Sequence, residues 1–145
     1  MTARGNIGPS LRIPLLLVCL VSLACGDTRV PEGELPLGAI DTPARDAVIR
    51  PMPLLVGGWV VAPGGIREVR VYLGDELKGV THLAVSRPDV MQAHPERSGG
   101  TDLLGWNLEI EVGPARGSQT ILVRVVDERG RLADLASVPV VIAPW

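Results

Sequence analysis

The side chains through which this chain could do chemistry are few. His82 and His94 are its two histidines. No cysteine lies beyond Cys25 to complete a zinc set with them and Asp89, so no metal is expected. Glu109 and Glu111 share one face of a strand pattern. Paired carboxylates can do acid–base work, but alternating Glu on a strand reads as a solvated face. Asp127 and Glu128 with Asp134 could hold Ca²⁺ between loops, and a plain hairpin turn explains them as well. Ser86, Ser98, Ser118 and Ser137 stand in no nucleophile-elbow pattern. No catalytic residue, cofactor or enzymatic activity is therefore expected. Arg87 and Asp89 are the pair that stands out. They either tie a short helical turn to neighbouring backbone or present a contact surface to a protein or glycan.

The elements that must position these residues are short strands. The chain is 46% hydrophobic, yet 3% aromatic, with no Phe. Its apolar content is Val, Leu, Ile and Ala, which suits a pleated core. Gly 17 and Pro 13 fall mostly between the apolar runs as turn punctuation. Leu54 to Ala62, LLVGGWVVA, reads as a central strand, with Trp59 as the core's largest side chain. Arg67 to Leu73 alternates, with Val69, Val71 and Leu73 on one face. Gly74-Asp75 makes a hairpin to a strand over Leu77 to Val85. Leu104 to Val112 puts Leu104, Trp106, Leu108, Ile110 and Val112 together. Thr120 to Val126 reads as a buried strand, Asp127 to Gly130 as a hairpin, and Ala136 to Ile142 as the last strand. Ala39-Ile40 and Ala47 to Arg50 read as one edge strand broken at Thr42-Pro43. Seven or so strands at this spacing predict an all-β, antiparallel β-sandwich over residues 39–145. Trp59 and Trp106 are both placed inward, and Trp145 at a sandwich end. Pro88 to His94 predicts one or two helical turns, opened by Pro88 and stopped by Pro95. The segment from Ser86 to Gly100 would then cross from one sheet to the other.

The first segment reads as an address. Residues 1–12 are polar and positive, and residues 13–24, IPLLLVCLVSLA, are apolar. This is the layout of a secretory signal. The apolar run is well short of the roughly 20 residues that span a bilayer. Val21-Ser22-Leu23-Ala24-Cys25-Gly26 resembles the lipobox of bacterial lipoproteins, with Ser22 where that pattern most often has Leu. The resemblance implies lipid on Cys25, which would become the first residue after cleavage. Cys19 would leave with residues 1–24, so the mature domain would have no internal disulfide. Residues 25–38 are rich in Gly, Pro and acid and read as a flexible tether. Its stretch from Gly26 to Gly38 would reach at most ~45 Å. The formal net charge is −2, and the basic residues are scattered, so no nucleic-acid partner is expected.

Over nearly all of residues 38–142 the chain resembles a bacterial Ig-like domain of exported and surface-associated proteins. The matching residues are Ile40-Asp41-Thr42-Pro43, Gly58-Trp59, Gly65-Ile66 before Val69-Arg70-Val71-Tyr72, and Gly105-Trp106. The most specific are Arg87-Pro88-Asp89-Val90 followed by His94-Pro95. Asp127 to Gly130 matches the last hairpin. The resemblance implies that the sandwich is immunoglobulin-like, and it implies no single activity. The expected protein is an exported, lipid-anchored structural or protein-interaction module of the cell envelope. Its partners would be the membrane, through Cys25, and an envelope protein or glycan. The alternative is a carbohydrate-binding module at the cell surface, for which exposed aromatic rings would be the mark.

Overall fold

The computed structural model describes residues 35–144. The stretch expected as a leader, Cys25, the expected tether up to residue 34 and Trp145 lie outside the described residues. In chain order the elements are β1 (Leu37–Thr42), β2 (Ala47–Ile49), β3 (Leu54–Val61), β4 (Ile66–Leu73) and β5 (Glu76–Thr81). Then come β6 (Val85–Ser86), α1 (Pro88–Ala93), β7 (Leu103–Ile110), β8 (Gly117–Asp127) and β9 (Leu132–Ile142). They form two sheets, β1-β3-β7-β6 and β2-β9-β8-β4-β5. All pairings are antiparallel except β2 with β9, which run parallel.

The described residues hold nine strands where seven or so were expected, because two stretches read as single strands each divide between the sheets. The first breaks at the cis Thr42–Pro43 bond: β1 joins the four-stranded sheet and β2 the other. The second breaks between Thr81 and Val85, so β5 and β6 also lie in different sheets. The crossing therefore happens at His82–Ala84. The segment that carries α1 connects β6 to β7 within one sheet, and it does not cross. β1 begins at Leu37, inside the stretch read as tether, because Leu37 and Gly38 pair with Val61 and Val60.

The space between the sheets is filled by β-branched side chains, among them Val56, Val60, Val69, Val71, Ile121, Val123 and Val125, with Trp106 at 1% exposure as the largest. Burial of such chains is the main stabilising term. Trp59 is not in that core. It is half-buried and packs with Met91 against a smaller cluster of Val61, Val90 and Leu104. The pleat explains the correction: Val56 and Val60 point between the sheets, so Trp59 points out of the sandwich. At its Trp59–Val61 end both faces of β3 are covered, one by the opposite sheet and one by Val90 and Met91 of α1. An unbroken apolar run such as LLVGGWVV hides which face is which.

Gly58 lies where β1 crosses close to β3. A Cβ there would stand 1.9 Å from the Ala39 carbonyl oxygen, which excludes any side chain without moving the strand. β1 starts and β9 ends at opposite poles of the sandwich, since Leu37 pairs near the end of β3 and Ile142 pairs with Gly117 at the start of β8. The two are called here the tether pole and the far pole.

Candidate functional site

Arg87 stands at the junction of β6 and α1. Its N–H donates to the Asp102 carbonyl at 2.7 Å, and its carbonyl accepts the Met91 N–H at 3.1 Å. Beside it, Ser86 Oγ donates to Asp102 Oδ2 at 2.5 Å. These bonds fix the start of α1, where Pro88 supplies the preset φ of a first helical position.

The Arg87 side chain then lies along the outer face of the four-stranded sheet. Val85, Gly105, Trp59 and Ala39 form one row of register partners across all four strands. Gly105 leaves the space for it: a Cβ there would meet Arg87 Cγ at 3.0 Å and Val85 Cβ at 2.8 Å. At the end of the stem the guanidinium forks onto Asp89, with Nε to Oδ1 at 3.0 Å and Nη2 to Oδ2 at 2.8 Å. Nη1 donates to Asp41 Oδ2 at 2.7 Å. One arginine thus links β6, α1 and β1, the two outer strands of the sheet and its cover.

The electrostatics follow from these contacts. Hydrogen bonds from Arg87, aided by its charge and by the Val90 N–H, pull the Asp89 carboxyl down to about 2 against a smaller desolvation effect. The same bonds to Asp89, then those to Asp41, raise Arg87 further above its ordinary value. Planar bidentate pairing of this kind is directional as well as strong. The donors that an anionic partner would need are already engaged with Asp89 and Asp41, so the cluster is built to hold an outer strand and a helical turn together.

The remaining expected residues are placed as follows. His94 ends α1, its N–H donating to the Val90 carbonyl at 2.9 Å. Its ring stacks on Trp59 with centroids 5.6 Å apart and planes 23° apart. It is half-buried, because the indole beneath offers it apolar area. His82 Nδ1 lies 2.8 Å from the Arg67 carbonyl oxygen. Asp127 accepts the Arg131 side chain at 2.6 Å and the Arg129 and Arg131 N–H groups, while Asp134 pairs with Arg124 at 2.7 Å. They serve a hairpin and a strand pair separately. Among the described residues no group of three or more His, Cys, Asp and Glu converges on a point that could hold a metal. Glu109 and Glu111 are exposed.

Two features were missed. Asp41 is the third member of the Arg87 cluster, and its signal was present in the Ile40-Asp41-Thr42-Pro43 match. Arg97 lines a mouth between the sheets and follows the helical turn that Pro95 stops, with no pattern to mark it.

Comparisons with known proteins give likeness of structure alone. No protein-family model and no curated protein matches the chain. Among solved structures it is similar to the fibronectin(III)-like modules of Clostridium thermocellum CbhA, at 17% identity and a TM-score of 0.49, covering 73% of this chain and 94% of that one. It is similar to CopC from Methylosinus trichosporium OB3b at 16% identity and a TM-score of 0.42, covering 76% and 95%. A Niemann-Pick type C2 protein from the Japanese carpenter ant matches at 13% identity and 0.43, covering 75% and 93%. The two packed sheets decide the class. The fold is an Ig-like β-sandwich.

Proposed function

We propose that this protein is an exported, lipid-anchored β-sandwich module that serves as a structural or protein-interaction component of a bacterial cell envelope, without enzymatic activity. The observation that carries the reading is the polarity of the sandwich. β1 enters at one pole and β9 leaves at the other. β9 alone has 11 residues, a rise of ~36 Å. With lipid on Cys25, the stretch to Leu35 reaches at most ~35 Å. The tether pole then faces the membrane and the far pole is presented away from it. Two or more acyl chains on one cysteine give stable anchoring where a single chain does not.

Carbohydrate binding is the alternative, and it needs an open aromatic face. Trp106 is buried, His94 covers a face of Trp59, and Arg124 lies over the Tyr72 ring at 5.3 Å. These contacts favour the interaction module. Mass spectrometry of the protein extracted from its own envelopes tests the anchor. A first peptide beginning at Cys25 and carrying acyl chains is expected. An unmodified Cys25 in a soluble form would overturn it. Crosslinking from the same envelopes then separates a protein partner from a polysaccharide.

A further inference from the structure

We propose that the mouth between the two sheets at the tether pole binds a small carboxylate with a short apolar chain, held through Arg97. The mouth has a volume of about 270 Å³ and opens to solvent. Its walls include Val60 and Val61 of β3, Ile66 of β4, Leu83 of the crossing segment and Leu104 of β7. At just under the ~300–1,000 Å³ of drug-sized pockets, it fits a short chain.

The polar side of the mouth sets the class of ligand. Arg97 Nε is buried and has no hydrogen-bond partner. The Arg97 guanidinium donates through Nη2 to the Leu35 carbonyl, and no described carboxylate forms an ion pair with it. Arg87, by contrast, has both edges of its guanidinium engaged. The Arg97 guanidinium on the lining thus carries a charge that no described carboxylate balances, and a carboxylate is the anion whose planar geometry matches it. The loop that carries Arg97 is fixed from below. Ser98, 5% exposed, donates through Oγ to the Pro95 carbonyl at 3.1 Å and accepts the Gly100 N–H at 3.3 Å. Thr101, also on the mouth, accepts the Leu103 N–H at 3.1 Å and keeps its hydroxyl proton to donate. Glu128 on the rim has the opposite sign, so the site favours a single carboxylate over a more highly charged anion.

The test uses the full chain in nanodiscs, labelled at Val and Leu methyls, titrated with hexanoate, hexanol and hexylammonium against empty nanodiscs. Hexanoate is expected to shift the Val61, Leu83 and Leu104 methyls at low millimolar concentration, at least tenfold below hexanol or hexylammonium. Arg97→Gln should weaken hexanoate at least tenfold and leave hexanol unchanged. Glu128→Gln should strengthen hexanoate. Equal response to hexanoate and hexanol in the unaltered protein would overturn the proposal whatever the folding of the variants. So would hexanoate shifts confined to methyls away from the mouth, or an unchanged affinity in a folded Arg97→Gln.

Discussion

The two faces of the four-stranded sheet are held by different physics. On the inner face Trp106 is buried among Val and Ile side chains from both sheets. On the outer face Trp59 is half-buried, stacked on His94, beside an arginine that joins β6, α1 and β1 through two carboxylates. The inner contacts are non-directional, so many apolar residues of similar volume would serve. The outer contacts need one fork, two carboxylates and a glycine beneath the stem. This is why the most distinctive residues of the chain, Arg87-Pro88-Asp89, lie on the outside. A distinctive motif here marks a structural fastening.

The comparison can be broken or sharpened by substitution. Trp106→Ala is expected to cost most, about 3–5 kcal/mol, because it removes the largest core side chain. Gly58→Ala follows at about 1–3 kcal/mol, since its Cβ would collide with the Ala39 carbonyl. Trp59→Ala should cost about 2 kcal/mol, roughly half the core value for a half-buried ring. Arg87→Met should cost about 1 kcal/mol in exposed ion pairs. Urea unfolding of each variant gives this ranking. A Trp59→Ala loss equal to that of Trp106→Ala would place both rings in one core.

The smallest effect is a pH dependence. Asp89 has its folded value near 2 against about 3.9 when unfolded. A depressed carboxylate stabilises the fold above the unfolded value and loses that contribution as pH falls through the folded one. Asp89→Asn should therefore flatten the part of the acid limb between about pH 4 and pH 2, and leave the slope at neutral pH unchanged.

Much of this was legible in the chain. The alternation of Arg67 to Leu73 gave the buried faces of β4, since Val69, Val71 and Leu73 are the buried residues there. Gly74 and Gly130 sit at positive φ in the turns where glycine was read, and α1 begins at Pro88. The side of Trp59 was not legible, because two adjacent glycines and an apolar run carry no alternation. Nor was the break after Thr81, where strand-forming residues continue while the chain changes sheets. The Arg97 mouth draws on residues from Val60 to Glu128, and no local pattern announces such a meeting.

Hydrogen exchange on Arg87→Met against the unaltered protein is the most direct test of the outer-face fastening. Faster exchange at the Met91 and His94 amides of α1 and in β1 and β6 is expected, with β4 and β8 keeping their protection, as local opening requires. Unchanged protection around α1, or a uniform loss that reaches β4 and β8 equally, would contradict the assignment of Arg87 as the residue that holds the outer face.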